Sequence, residues 1–378
     1  MQKGANRALL LVFLIAIYAP MITMYSGLAP RSALTEKRRL ALRPPAPRSM
    51  GAVQRYPRLF ERYFDDQFGL RSLLVRAYMQ LMVHGLHVPQ INNVIIGQAG
   101  WLYYAGNGEM ADYQRTRQFS AAQLARIVHT QQQRCDWLRQ RGIAYVVFIP
   151  PNKSSVYPEH MLPSLPRAAG ASRLQQVVTA LRTRTTVPVV DVEMLFSTAR
   201  YARLLYLMTD SHWNDYGALL AQQVLLREVA RAVSNVAPIE TSACTITEEP
   251  RMGSDLAFML GLQDTYHDTN VLVCPLTGFM ATNVALPYAL PKDYLAYATE
   301  HPNKQLPRAV IFRDSFGNRS NPFLAECFSR SVFLWTYDFD AAVIEREQPA
   351  VVIYQLVERV MDVLDTTNVL VRPGSQRR

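Results

Sequence analysis

The segment AVIFRDSFG, residues 309–317, sets the fold class of this chain. Its first four residues are apolar, as in a strand that is covered on both faces. The polar residues Arg313, Asp314 and Ser315 then end the apolar run and begin a turn. In α/β proteins, chemically active side chains lie at such strand ends. The segment therefore predicts a buried strand with a functional turn at its carboxyl end.

A second polar segment, TDSHWN at residues 209–214, follows an apolar run and precedes an amphipathic one. A serine hydroxyl needs a neighbouring base to become a nucleophile, and histidine suits that task at neutral pH. A carboxylate must then orient the imidazole. We assign the nucleophile to Ser315, the base to His212 and the orienting carboxylate to Asp210. A tight turn around Ser211 would bring the last two together.

Each of these features also has a simpler interpretation. Asp-x-His pairs are common as caps and surface residues, and Ser315 alone fits a helix N-cap. His267, with Asp264 and Asp268 nearby, is a rival acid–base group, although the sequence gives it no obvious serine partner. The joint occurrence of both segments at two strand ends favours catalysis.

Apolar runs and helical patterns alternate along the chain. The sequence predicts a hairpin at 93–104, strands at 144–149, 187–192, 309–312, 332–336 and 350–354, and helices at 56–86 (broken near Gly69), 120–141, 172–184, 215–236, 321–329 and 340–347. Residues 239–275 are expected as an insertion or covering loop, and 276–307 as irregular strands or a covering loop. The alternation predicts an α/β three-layer sandwich with a central parallel sheet.

Further site residues follow from position. Asn152 comes directly after the strand at 144–149, so it is a candidate oxyanion donor, with a turn role as the alternative. The backbone around Ser315 and Gly317 offers further N–H donors. Trp213 is a candidate for stacking on a sugar, with a core position as the alternative, and Lys153 is expected in solvent.

The N-terminal segment has no charged residue between Arg7 and Arg31. Residues 8–29 are therefore predicted to be a transmembrane signal anchor, with a cleaved signal peptide as the alternative. Residues 1–7 would be cytoplasmic, and 30–55 form a linker rich in Pro and Arg. Basic residues stand on both sides of the span, so charge alone leaves its orientation open.

The net charge of +10 is concentrated near the two termini, at Arg31, Lys37, Arg38, Arg39, Arg43 and Arg48 and at Arg372, Arg377 and Arg378. It indicates a membrane surface or an anionic polymer rather than nucleic acid, for which no motif is present.

The four cysteines allow three full pairings. Cys244 and Cys274 bracket the insertion, so a disulfide that closes this loop is expected in an oxidising compartment. Cys135 and Cys327 lie in apolar runs and are predicted to be buried thiols. No Cys-x-x-Cys or His-x-x-x-His spacing is present, so we predict neither a metal site nor a cofactor.

Several motifs occur in an order that resembles a known family. They are YFDDQFGLR (63–71), GQAGWLY (97–103), PPNK (150–153), TDSHWN with Gly217-Ala218, RDSFG (313–317) and VER (357–359). Together they resemble the SGNH hydrolase-like domain of the AlgJ/AlgX-type alginate O-acetylation proteins. The resemblance implies that residues 56–378 form this domain and that Asp210, His212 and Ser315 form its triad.

The resemblance also implies an activity and a location. These are periplasmic O-acetyltransferases of exopolysaccharides, so the domain is expected in the periplasm, tethered to the inner membrane by a single span. The acetyl donor would be a separate membrane-bound acyltransferase of the MBOAT type. Two alternatives remain: a carbohydrate acetylesterase with the same triad, and a non-catalytic polysaccharide-binding or scaffold subunit of a synthase complex.

Overall fold

A computed structural model describes residues 2–26 and 39–366. The chain divides into two compact units. One comprises the residues up to Val88 together with Met259–Leu262, and the other comprises Pro89–Phe258 and the residues from Gln263 onward. Parts of the predicted segments lie outside the described residues: 27–29 of the anchor, 30–38 of the linker, and the basic residues Arg31, Lys37, Arg38, Arg372, Arg377 and Arg378.

The first unit is helical. Its described helices are α1 (Gln2–Ser26), α2 (Met50–Gln67) and α3 (Arg71–Gln80), which continues into a π-helical turn at Leu81–Gly85. Among the described helices, α1 alone has the length and composition to cross a bilayer, over Gly4–Met24 with a mean hydropathy of 2.0. The predicted break near Gly69 is confirmed, since α2 ends at Gln67 and α3 begins at Arg71.

The second unit contains the strands described in the structure. They are β1 (Gln90–Ile91), β2 (Val94–Ile96), β3 (Leu102–Tyr104), β4 (Ala144–Phe148), β5 (Val189–Val190), β6 (Cys244–Met252), β7 (His267–Pro275), β8 (Thr282–Val284), β9 (Tyr297–Glu300), β10 (Arg308–Phe312), β11 (Arg330–Leu334) and β12 (Val351–Gln355). The predicted hairpin is confirmed, because β2 pairs antiparallel with β3.

Two helices of this unit begin at serine residues that cap them. Ser120 and Ser172 each form a capping box with the glutamine three residues later. The helices are α4 (Glu109–Tyr113), α5 (Ala121–Arg139), α6 (Lys153–Val156), α7 (Arg173–Arg184), α8 (Glu193–Ala199), α9 (Asp215–Val229), α10 (Asp255–Met259), α11 (Gly317–Ala325), α12 (Ala341–Glu347) and α13 (Val363–Thr366).

Seven strands form the main sheet, in the order β5-β4-β12-β10-β11-β9-β8. The first five are parallel, whereas β9 pairs antiparallel with β11, and β8 pairs antiparallel with β9. The predicted parallel sheet is therefore mixed, with antiparallel pairing at one edge. The connection between β9 and β10, residues 301–307, is too short for the crossover that a parallel return requires. The segment 276–307 thus supplies two sheet strands.

Alternate residues of the central strands face two separate hydrophobic cores. On β10, Ile311 packs in a core with residues of α9 and α11, whereas Val310 and Phe312 pack in a second core with residues of α5 and α7. Because side chains alternate along a strand, helices cover both faces of the sheet. The sheet is therefore the middle of three layers.

The predicted insertion is a long two-stranded ribbon of β6 and β7, called the ribbon below. All four cysteines are free, with Cys135 and Cys327 buried as predicted. The expected Cys244–Cys274 disulfide is wrong, because the register pairs Cys274 with Thr245. Neighbouring residues of a strand point to opposite faces, so the two thiols project from opposite sides of the ribbon.

Candidate active site

The TDSHWN segment forms a narrow loop, called the Asp–His loop (residues 207–213). Tyr206 and Trp213 form a β-bridge at its base, and the Asn214 N–H donates to the Leu205 carbonyl at 2.8 Å. The Asn214 side chain also accepts from the Gly217 N–H at 2.9 Å and caps α9. The two ends of the loop therefore lie side by side in the core.

The RDSFG segment forms a tight turn between β10 and α11, called the serine turn (residues 313–317). The buried Asp314 carboxylate accepts from the Phe316 N–H at 2.9 Å and from the Val357 N–H at 2.5 Å. The second bond ties the turn to the chain that follows β12. Ser315 is thereby presented at the carboxyl edge of the sheet, half-buried.

The two segments meet in one chain of hydrogen bonds. The His212 Nε2 atom lies 2.7 Å from Ser315 Oγ, and His212 Nδ1 lies 2.7 Å from Asp210 Oδ1. The same carboxylate oxygen accepts from the His212 backbone N–H at 3.0 Å. The side chains of His212 and Asp210 are 23% and 16% exposed, so small molecules can approach the chain. The structure thus brings together the three predicted residues in the predicted order.

A second carboxylate, Asp255, stands beside this chain. Its Oδ2 atom lies 3.5 Å from His212 Nδ1, and it accepts hydrogen bonds from the Ser211 N–H and hydroxyl, both at 2.8 Å. Asp255 begins α10 between the two ribbon strands. The sequence reasoning missed it, because nothing in the local sequence links residue 255 to residue 212.

The two carboxylates have opposite electrostatic environments. Although burial favours the neutral form, the hydrogen bond and charge of His212 hold the pKa of Asp210 well below its ordinary value. For Asp255, burial and then the neighbouring Asp210 charge raise the pKa. Asp210 is therefore the more acidic of the two carboxylates, and it is ionised beside His212.

Lys153 holds the Asp–His loop from inside. It is almost fully buried, and its Nζ donates to the carbonyls of Leu207, Met208 and Asp210 at 3.1, 2.9 and 2.5 Å. Burial lowers its pKa to about 8 even though carboxylates surround it. The expectation of a solvated Lys153 is wrong, because three loop carbonyls satisfy its three N–H donors.

The ribbon holds the same loop from the other side. The buried Asp268 carboxylate accepts from the N–H groups of Met208 and Thr209 at 3.0 and 2.9 Å and from the Thr209 hydroxyl at 2.6 Å. The Thr209 hydroxyl in turn accepts from the Ser254 N–H at 2.7 Å. His267, the rival acid–base group, is exposed on β7, so its neighbour Asp268 is the residue that reaches the loop.

The predicted oxyanion residues behave differently from one another. The Asn152 side chain is buried and makes no hydrogen bond to the part of the chain that the structure describes. The Gly317 N–H donates to the Asp314 carbonyl at 3.1 Å, so it is not a free donor. The Ser315 N–H, by contrast, has no acceptor within residues 2–26 and 39–366. The Ser315 N–H is therefore a free donor of the turn.

Trp213 is a core residue. Its side chain is fully buried, its Nε1–H donates to the Phe316 carbonyl at 3.0 Å, and its ring lies 5.0 Å from that of Phe316. It cannot stack on a sugar in this position, so that interpretation is wrong. The indole instead joins the Asp–His loop to the serine turn.

Buried charges lie behind the site. The Glu358 carboxylate accepts from the Asn152 N–H at 2.8 Å and the Ser155 hydroxyl at 2.7 Å, while Arg359 lies 3.7 Å from Glu109. Burial raises the pKa of both Glu358 and Glu109 to about 7. The adjacent residues Glu358 and Arg359 thus have different partners.

Metal binding is one further possibility for the carboxylates and imidazole. Ligand atoms of Asp210, His212 and Asp255 lie within 4.8 Å of one another. However, His212 Nδ1 lies at hydrogen-bond distance from Asp210 and its other nitrogen is bonded to Ser315. The imidazole therefore has both nitrogens engaged in the hydrogen-bonded chain.

The chain is similar to one protein family and to several known proteins. The family described as "SGNH hydrolase-like domain, acetyltransferase AlgX" matches residues 94–274. A "Probable alginate O-acetylase AlgJ" of Pseudomonas aeruginosa is 26% identical over 212 residues, covering 55% of this chain and 51% of that protein. Over about half of its length, the chain thus resembles the AlgJ/AlgX-type proteins. The family match includes Asp210 and His212 and ends before Ser315.

Two further proteins are similar to this chain. The AlgJ relative of Pseudomonas syringae pv. tomato is 26% identical over 180 residues, covering 48% of this chain and 43% of that protein. The chain thus spans about half the length of the curated relatives it matches. The solved structure of Bacillus cereus PatB1 shares the fold, with a TM-score of 0.51 at 16% identity over 72% of this chain and 99% of that chain.

Proposed function

We propose that this protein is an O-acetyltransferase that transfers acetyl groups to hydroxyls of an exopolysaccharide. The observation that carries the proposal is the hydrogen-bonded chain Asp210–His212–Ser315, with 2.7 Å at each contact of the imidazole. This arrangement activates a serine for acyl transfer. The AlgJ relatives, named as alginate O-acetylases, support the choice of acetyl as the acyl group.

In the first half-reaction, the neutral His212 takes the proton from Ser315 Oγ as this oxygen attacks the acetyl carbonyl. Asp210 accepts the Nδ1–H and stabilises the imidazolium that forms. The donor's leaving oxygen then takes the proton from His212 Nε2 as its bond to the acetyl carbon breaks. The products are acetyl-Ser315 and the deacylated donor.

In the second half-reaction, a sugar hydroxyl gives its proton to His212 and attacks acetyl-Ser315. The bond between the acetyl carbon and Ser315 Oγ breaks, and His212 returns the proton to this oxygen. Acetylated sugar and free Ser315 result. Water in place of the sugar hydroxyl would give acetate, which is the esterase alternative.

Each tetrahedral intermediate carries a negative oxygen that needs donors. The Ser315 backbone N–H suits this role because it has no acceptor among the described residues. Asn152 follows β4, which shares the carboxyl edge of the parallel sheet with β10. We assign its amide as a second donor.

The location and the donor complete the proposal. The apolar helix α1 would act as a single-pass anchor in the inner membrane, with the second unit in the periplasm. A membrane-bound acyltransferase of the MBOAT type would then supply the acetyl group. A C-terminal reporter that is active only in the cytoplasm would contradict this orientation.

The test is to incubate the protein with an acetyl ester and an oligosaccharide and to analyse products by mass spectrometry. We expect acetylated oligosaccharide and an acetyl group on Ser315. Ser315→Ala should lower the rate by about a thousandfold or more, while Ser197→Ala, which changes an exposed serine of α8, should match the wild type.

The outcomes separate the alternatives. Free acetate without acetylated sugar would favour the esterase. Equal activity of wild type and Ser315→Ala would reject both enzymatic functions, and retained binding of polysaccharide would then favour the scaffold.

A further inference from the structure

Asp255 reaches the candidate active site from outside the main sheet. It lies in the connection between β6 and β7, so the ribbon delivers it to the Asp–His loop. Its two oxygens bind the N–H and the hydroxyl of Ser211, the residue between Asp210 and His212. A carboxylate that receives both bonds fixes the backbone and the side chain of Ser211 together.

Asp255 also faces the imidazole itself. Its Oδ2 atom is 3.5 Å from His212 Nδ1. The Ser211 hydroxyl, which donates a hydrogen bond to Asp255, is 3.3 Å from the same nitrogen. Asp210 and Asp255 therefore flank one ring nitrogen. Lys153 also interacts electrostatically with Asp255, and Asp314 interacts with His212 from the serine turn.

We propose that Asp255 is a positioning residue of the acyl-transfer site, where it sets the orientation of His212 through Ser211 and adds a second negative charge beside Nδ1. This inference rests on the proposed function. Asp210 alone makes the short contact with Nδ1, so Asp255 acts on the reaction through the imidazole. The ribbon is then part of the active-site architecture.

Two different effects are expected from the loss of Asp255, one on the position of His212 and one from the loss of the carboxylate charge. Loss of the Asp255 side chain should let Ser211 and His212 move. A small displacement of a catalytic base lowers the reaction rate by a large factor. Loss of the charge alone should make protonation of the imidazole less favourable, because an anion beside a base stabilises its protonated form. The neutral, active base would then persist to lower pH.

The experiment compares Asp255→Ala, Asp255→Asn and Ser211→Ala in the full chain. Two rates are followed across pH: hydrolysis of p-nitrophenyl acetate, and inactivation by phenylmethylsulfonyl fluoride, which reports the reactivity of Ser315. Glu249→Gln removes a charge from an exposed position of the same ribbon and serves as the control. Circular dichroism verifies that each variant is folded.

We expect Asp255→Ala to lower both rates on the order of tenfold or more. Asp255→Asn keeps the shape of the side chain and should retain more activity than Asp255→Ala. The acidic limb of its pH–rate profile should shift to lower pH by about one unit. Wild-type rates in Asp255→Ala, or an unshifted limb in Asp255→Asn, would overturn the proposal. If wild type and Ser315→Ala are equally inactive, the proposed function has failed instead.

Discussion

The serine turn and the Asp–His loop carry the two halves of one site but are held in different ways. The serine turn has hydrogen bonds among its own residues, and the Val357 N–H adds one more by donating to the Asp314 carboxylate. It also follows β10, which lies between two parallel strands. The sheet therefore fixes the position of Ser315.

The Asp–His loop depends on residues far away in the sequence. Lys153 binds three of its carbonyls, and Asp268 binds Met208 and Thr209. These partners come from α6 and from the ribbon. The sheet thus sets the position of the nucleophile, whereas the base is aligned only when distant parts of the unit have come together. Substitutions should therefore affect the loop more than the turn.

The largest effect is expected at the base of the loop. A Cβ added at Gly217 would lie 2.4 Å from the Leu205 carbonyl oxygen and 3.2 Å from Trp213 Cβ. Because that carbonyl also accepts from Asn214, Gly217→Ala must displace the loop backbone. We expect the free energy of unfolding to fall by about 3 kcal/mol and ester hydrolysis to fall with it. Chemical denaturation and p-nitrophenyl acetate hydrolysis measure the two.

Gly51→Ala is the control, because the nearest atom to an added Cβ there is the end of the Arg55 side chain at 3.9 Å. An alanine in that helix should be neutral or stabilising. Wild-type stability of Gly217→Ala would show that the loop base is not as tightly packed as this structure has it.

A smaller effect is expected when the Asp–His loop loses its hydrogen bonds from Lys153 while the serine turn is unchanged. Lys153→Met keeps the length of the side chain but removes the three hydrogen bonds to Leu207, Met208 and Asp210. We expect kcat/KM for the acetyl ester to fall on the order of a hundredfold, since bonds from a charged donor are each worth about 1.5–3 kcal/mol.

Lys304→Met, which replaces an exposed lysine, should retain full activity. The temperature of unfolding separates loss of alignment from loss of fold. If Lys153→Met were as active as the wild type, the contacts from the ribbon would be sufficient to hold the loop.

The same difference explains what the sequence could predict. The strand at 309–312, the turn after it and the capped helices follow from local patterns, and the structure contains each of them. Asp210 and His212 converge because one residue separates them. In contrast, Asp255 and Asp268 bind the loop across separations of 44 and 59 residues, which no local pattern reports.

Two wrong interpretations have a common cause. Lys153 and Trp213 each carry N–H donors that need a hydrogen-bond partner when they are buried. Both are buried here because the Lys153 ammonium and the Trp213 indole N–H find backbone carbonyls inside the unit. A sequence shows the donor but not the carbonyl that satisfies it.

The smallest effect on activity is expected behind the serine turn, where the change in stability depends on pH. Glu358 adjoins Val357, which binds Asp314, and burial raises the pKa of Glu358 from 4.5 to about 7. The folded state therefore holds its proton more tightly than the unfolded state. The stability from this protonated carboxyl is fully present below about pH 4.5 and is lost as the pH rises through 7.

Glu358→Gln should remove this dependence. Between pH 5 and 8, the free energy of unfolding of the wild type should fall relative to that of Glu358→Gln, by about 3 kcal/mol at most. Urea denaturation at several pH values measures the difference. Glu109, whose pKa is raised in the same way, should leave some pH dependence in the variant. Because the hydrogen bonds within the serine turn remain in Glu358→Gln, its rate of ester hydrolysis should change little. A large loss of activity would mean that the turn depends on distant residues as much as the loop does.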